Sequence, residues 1–264
     1  MIECLGSAEG RSGGSRAMRI RQLGGVAVGV TAMVLATAVA TAQRGSAPAT
    51  PAGTVVGKIT YEGRAPRPRV VRMGADPLCM PEAKGGTLSE VLVVGPGNGL
   101  QNAFVYVKDG LGSRTFPAPK TPVVLDQKGC KYSPHVIGIQ VGQPLEVRNS
   151  DGTLHNVHAV PKINKEFNFG QPSKGMKSSR AFDKVEVMVP FRCDVHGWMN
   201  AYAGVVAHPF FAVSRPDGSF EIKGLPPGSY TIEVWHEQLG TQTSKVTVDA
   251  KAGATANFAM KAKA

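Results

Sequence analysis

Beyond residue 53 the chain alternates β-branched or aromatic residues with polar ones in short runs. These are TVVGKITYEG from Thr54, AFVYVKDG from Ala103, IGIQVGQPLEVRNSDG from Ile137, VEVMVPF from Val185, SFEIKGLPPGSYTIEVWH from Ser219 and SKVTVDAKAG from Ser244. A period of two places every second side chain on one face of a strand, and Gly, Pro and Asp bound the runs as turn formers. No stretch after residue 42 sustains a 3.6-residue period, so the expected fold class is all-β, built of sandwiches. Arg64 to Arg72 (RAPRPRVVR) and VGPGNG from Val94 read as loops, because Pro lacks the ladder N–H and Gly weakens strands. A content of 32 Gly and 19 Pro in 264 residues agrees with many turns.

The N-terminal pattern is different. Arg11, Arg16, Arg19 and Arg21 precede a charge-free run from Leu23 to Ala42 that ends in small residues at Ala40 and Ala42. This is the order of a secretory signal, so residues 1–42 are expected to be removed after Ala42 and 43–53 to serve as a linker. The run is also long enough to anchor in a membrane if it stays uncleaved, but it is rich in Ala, Gly and Thr and poor in Leu and Phe, which favours cleavage. Met18 is an alternative start. The expected location is the periplasm or the exterior of a bacterial cell.

Export changes two counts. Lys and Arg number 30 against 19 Asp and Glu, a formal charge of +11. Removing the signal takes away four Arg and two Glu, so most of the excess survives, with Arg64, Arg67, Arg69 and Arg72 in one loop. An exported chain is not expected to meet nucleic acid. The excess therefore reads as a surface for an acidic redox partner or an envelope polysaccharide, or as a solvated loop. Cys4 leaves with the signal, and Cys79, Cys130 and Cys193 stay. An odd number in an oxidising compartment suggests one pair and one thiol with another use.

The chemistry concentrates between Asn149 and Met199. VPFRCDVHGWM spaces Cys193, His196 and Met199 three residues apart, and His155 lies upstream in VRNSDGTLHNV. One thiolate, two imidazoles and a thioether are the ligand set of a mononuclear blue-copper site. A short loop between strands can wrap three of these ligands round one ion, with His155 tying the site to the core. With 6 His and 9 Met in 264 residues, a His at +3 and a Met at +6 from a given Cys arise by chance with a probability of roughly 0.0008. The plain alternatives are a buried structural Cys and a satisfied core His.

From KYSPHVIGIQVGQPLEVRNSDGTLHNV to VPFRCDVHGWMNAYAGVV the text resembles a cupredoxin of the plastocyanin, pseudoazurin and amicyanin group, and the two-residue spacers of the CxxHxxM loop match amicyanin best. The resemblance implies a Greek-key β-sandwich over residues 111–207, with His155, Cys193, His196 and Met199 binding one copper ion. It also places Asn149 beside the Cys thiolate. His158 follows His155 by three, so strand alternation points it to the other face, as a surface or supporting residue rather than a ligand. Trp198 either shields the metal and offers a docking surface or packs over the loop.

The C-terminal FFAVSRPDGSFEIKGLPPGSYTIEVWHEQLG resembles the carboxypeptidase regulatory-like domain, and related sandwiches accompany rhamnogalacturonan lyases. Such domains open with strands like GTVVGKITYEGRAP and LQNAFVYVKDG. Residues 54–110 and 208–264 are therefore expected to form one prealbumin-like sandwich interrupted by the cupredoxin. Tyr230, Trp235 and His236 serve there either as core and spacer or as a glycan-stacking platform, though alternation prevents Trp235 and His236 from both facing outward.

Cys79 and Cys130, in DPLCMP and QKGCKY, are expected to form a disulfide; the alternative is a second copper site with His135 and Met80. No GxSxG, HExxH, P-loop or GxGxxG is present, and four filled ligand positions leave none open for substrate, so no enzymatic activity is expected. The expected function is one-electron transfer between redox proteins. Copper trafficking or storage, and envelope or glycan binding with a structural copper, are the alternatives.

Overall fold

The structure is a computed structural model and describes residues 52–74, 76–79, 87–249 and 253–262. The expected signal, Cys4, most of the expected linker and Met80 lie outside these residues. Among the described residues no helix is long and apolar enough to cross a membrane.

The fold is all-β, in two sandwiches. The chain opens with β1 (Gly53–Tyr61), the short hairpin pair β2 (Val70–Val71) and β3 (Thr87–Leu88), and β4 (Phe104–Asp109). Nine strands follow: β5 (Val123–Gln127), β6 (Tyr132–Ser133), β7 (Val136–Gln140), β8 (Leu145–Asn149), β9 (His155–Ala159), β10 (Phe167–Gln171), β11 (Lys177–Arg180), β12 (Glu186–Arg192) and β13 (Asn200–Val206). The described chain closes with β14 (Phe211–Val213), β15 (Ser219–Leu225), β16 (Gly228–His236), β17 (Gly240–Val248), β18 (Ala254–Thr255) and β19 (Phe258–Met260).

The middle group makes the central sandwich, with sheets ordered β10-β9-β12-β13-β7 and β11-β8-β5-β6. The chain crosses between the two sheets several times, and β5–β8 and β7–β13 pair in parallel across the otherwise antiparallel sandwich. The flanking segments are interleaved in the second sandwich. β1 pairs antiparallel with β15, setting Val55 opposite Ile222, and parallel with β18 and β19. β4 lies between β14 and β16 in the other sheet. Alternate side chains of these strands fill one core containing Val55, Ile59, Val105, Phe220, Ile222, Ile232 and Val234.

Two departures from the sequence reading bear on the site. Val70–Val71, inside a stretch expected to be all loop, pairs with Thr87–Leu88. More importantly, the segment expected to belong wholly to the flanking sandwich sends Met73 and Cys79 into the core of the central one. Cys79 is bonded to Cys130 at a sequence separation of 51, a closure of about 4 kcal/mol in the loop-entropy description. Burial of apolar side chains and this covalent tie outweigh sequence adjacency to β1.

The sandwiches meet through Phe104 and Tyr106 of β4, Val136 of β7, Met188 of β12 and Val206 at the end of β13. Two glycines permit the contact. A Cβ on Gly138 would lie 2.3 Å from the Phe211 ring, and one on Gly204 would lie 2.4 Å from the Phe104 ring. Phe104 is wholly buried and has nowhere to retreat. Gly204→Val should therefore destabilise the protein by about 1–3 kcal/mol through overpacking, measured by denaturant unfolding; an unchanged midpoint would show that the ring is not held against this backbone.

Candidate metal centre

The strand ends deliver the donors. His155 is the first residue of β9, while Cys193 follows directly on β12 and begins the loop that returns as β13. The loop is short because Arg192 and Asn200 are still paired across the hairpin. It is cinched by the Cys193 N–H donating to the Met199 carbonyl at 3.2 Å and the Met199 N–H donating to the His196 carbonyl at 2.9 Å. These bonds coil the loop so that Cys193, His196 and Met199 are all buried in the central core with His155.

Inside, the two imidazoles meet with their Nδ1 atoms 3.0 Å apart, and Cys193 Sγ lies 3.9 Å from Nδ1 of His196. One donor atom from each of His155, Cys193 and His196 lies within 4.8 Å of the others. The sulfur accepts two backbone N–H groups, from Asn156 and His196, each at 3.3 Å. Burial raises the thiol pKa, but the His155 contact and these N–H groups outweigh it and hold Cys193 below its ordinary value. A cysteine sulfur facing two imidazole nitrogens suits a soft metal ion such as copper.

Each imidazole is fixed from behind. Nε2 of His155 bonds Asp151 Oδ2 at 2.8 Å, and Nε2 of His196 bonds Asp76 Oδ2 at 2.9 Å. Holding Nε2 in this way commits Nδ1 to the metal side. The carboxylates are anchored in turn: the N–H groups of Gly129 and Cys130 donate to Asp151, and the Leu78 N–H and the Thr153 hydroxyl donate to Asp76. The Leu78 N–H is the largest influence holding Asp76 below the ordinary carboxylate range. For Asp151 the upward pull of burial is outweighed by His155 and the two N–H groups, so it too is lowered.

Asp76, Asp151 and the Asn156 N–H were not singled out in the sequence. Asp151 had a local signal, standing four residues before His155; Asp76 had none beyond its place three residues before Cys79.

The other expected residues fall as follows. Asn149 makes no hydrogen bond to Cys193; its amide donates to the Thr153 and Gln171 carbonyls and its oxygen accepts the Asp151 N–H, so it braces the loop that leads to His155. His158, on the opposite face, is held by Asp194 at 2.9 Å and Glu166 at 2.7 Å. Trp198 packs on the His196 ring with centroids 5.1 Å apart and donates to the Cys130 carbonyl at 3.0 Å.

Cys79 and Cys130 form a disulfide, and His135 is bonded instead to Glu237 at 2.5 Å, so the alternative site with His135 does not assemble. Nor is there a stacking platform in β16. Tyr230 and His236 are buried, the Tyr230 hydroxyl donates to Pro226, and Trp235 packs on Tyr202 between the sandwiches. Packing between the sandwiches uses Trp235, and the flanking core uses Tyr230, so neither is left for an exposed glycan site.

The described geometry can be set beside known proteins. Residues 201–261 match the model of the carboxypeptidase regulatory-like domain. The C-terminal segment is similar to that domain. The matched span begins inside β13, which pairs within the central sandwich, and excludes β1 and β4, which complete the flanking one. No match was found among curated proteins. Among solved structures, a methionine-to-alanine variant of amicyanin in its Cu(I) form is 21% identical, covers 38% of this chain and 97% of its own, and has a TM-score of 0.29. An oxidised proline-to-alanine variant of amicyanin gives 22%, 38%, 97% and 0.29. A copper-containing nitrite reductase from Thermus scotoductus SA-01 is 22% identical over 36% of this chain and 24% of its own, with a TM-score of 0.28.

The buried charges carry a pH signature in the metal-free protein. Burial pulls the His155 imidazolium down, but Asp151 and the Cys193 thiolate overcome this and raise its pKa from 6.5 to about 9. A pKa raised by folding stabilises the folded state fully below the unfolded value, and that stability is lost as pH rises through the folded one. The thermal midpoint of the metal-free protein should therefore fall as pH rises from about 6.5 through about 9, and Asp151→Asn should flatten most of that slope. A slope that survives the substitution would contradict the assignment.

Proposed function

We propose that the protein holds one copper ion at His155, Cys193, His196 and Met199 and carries single electrons between redox proteins. The observation that supports this most is the buried meeting of the Cys193 sulfur with two imidazoles whose rear nitrogens are both fixed by carboxylates. A bound copper ion would supply the one-electron couple. The chain's own residues supply rigidity: the Asn156 and His196 N–H groups orient the sulfur, while Asp76 and Asp151 stop the rings from turning. Donors that do not move between oxidation states favour electron transfer over bond chemistry, so a non-enzymatic role follows.

The same burial speaks against metal delivery as the main role. His196 is 1% exposed, with Asp76 and the following turn behind it, so an acceptor protein has no direct route to the donors. Leu78, Leu154 and Val195, next in sequence to Cys79, His155 and His196, are exposed apolar side chains that a redox partner would cover. A formed disulfide supports an oxidising location, in keeping with export.

Protein loaded with Cu(II) should show an intense visible thiolate-to-copper absorption that disappears in Cys193→Ser. It should also be reduced and reoxidised by a cytochrome without losing metal to a chelator. A colourless copper complex would overturn the assignment of the site, and rapid transfer of metal to an apo-protein would point to trafficking instead.

A further inference from the structure

The Cys79–Cys130 disulfide sits directly behind the two imidazoles. Cys79 Sγ lies 3.8 Å from Nε2 of His196, and Asp76, Cys79 and His196 bring donor atoms within 4.8 Å of one another. Behind the other ring, Cys130, Asp151 and His155 form an equivalent group. Two sulfurs and two carboxylates thus surround one buried point, and both sulfurs are almost wholly shielded from solvent.

The backbone around the pair is held by more than the S–S bond. The Cys79 N–H donates to the Asp76 carbonyl at 3.0 Å, and the Cys130 N–H donates to the Asp151 carboxylate at 2.9 Å. The Trp198 ring N–H holds the Cys130 carbonyl at 3.0 Å. With the Cα atoms 5.6 Å apart and both residues buried, opening the bond leaves two thiols facing each other in the core.

We propose that this pair is a thiol-gated copper(I) site, separate from the Cys193 centre and independent of that centre's assignment. A dithiol opens the bond: it closes to its own disulfide, and two electrons and two protons pass to Cys79 and Cys130. Cu(I) then displaces both thiol protons and binds the two sulfurs with no further change in oxidation state. Thiolates select a soft ion, and the neighbouring carboxylates are hard donors that add little for Cu(I). Nε2 of His196 keeps its bond to Asp76, so the ring serves the first centre through Nδ1 while its rear edge faces the new thiolates. Reducing conditions, which generate Cu(I), would therefore also create the place that receives it.

The test is an anaerobic Cu(I) titration against a chromogenic chelator, with free thiols counted beforehand, on the full chain before and after dithiol treatment and desalting. The oxidised protein should bind one equivalent and the reduced protein two. Reduced Cys193→Ser should keep one dithiol-dependent equivalent, and Cys79→Ser/Cys130→Ser should bind one whatever its treatment. If the double variant does not fold, the comparison within Cys193→Ser decides. A reduced wild-type chain that binds no more copper than the oxidised one, or a thiol count that excess dithiol does not raise by two, overturns the proposal. Zero equivalents before reduction and one after would reject the Cys193 centre while upholding this site.

Discussion

Two buried imidazoles held with their Nδ1 atoms 3.0 Å apart impose the constraint to which much of the structure answers. A buried imidazole must satisfy both nitrogens, or it costs the stability that its burial would otherwise bring. Here the inner nitrogens face each other and the thiolate, so each outer nitrogen needs its own partner. Asp151 comes from the turn before β9 and can be reached locally. His196 lies in the β12–β13 loop and takes its partner from far away in sequence, the turn at Asp76–Cys79.

That requirement explains why a connection of the flanking sandwich crosses to the central one. The turn that carries Asp76 is held by the Cys79 N–H on the Asp76 carbonyl as well as by the Cys79–Cys130 bond, and the Cys130 N–H holds Asp151. The disulfide therefore links the two carboxylates that fix the two rings. The glycines at Gly138 and Gly204 allow Phe211 and Phe104 to lie against bare backbone, so the flanking sandwich packs closely on the central one. Through both features the second sandwich becomes structural support for the centre, and its aromatic residues are used in that packing.

Local chemistry was the legible part of the sequence. Period-two runs announced β1, β4, β7, β8, β12, β15 and β16, because one-sided burial writes alternation directly into the residues. The Cys193, His196, Met199 spacing was visible because one hairpin loop carries it. What escaped depended on contacts across the fold. Asp76 in DPLCMP is indistinguishable from any turn Asp until the tertiary structure sets it against His196. The short strands β2 and β3 lie in stretches too brief to show a period. The resemblance puts Asn149 beside the thiolate, whereas its side chain bonds Asp151 and Thr153 in the loop ahead of His155 and the Gln171 carbonyl of β10. Trp235 and His236 carry the same letters whether they face solvent or another sandwich, and only the neighbouring Tyr202 decides between them.

X-ray absorption at the copper edge of the loaded protein tests the convergence of Cys193, His155 and His196 most directly. One short sulfur scatterer together with two imidazoles is the predicted shell, with the sulfur lost in Cys193→Ser. A shell of nitrogen and oxygen alone in the wild-type protein would contradict it.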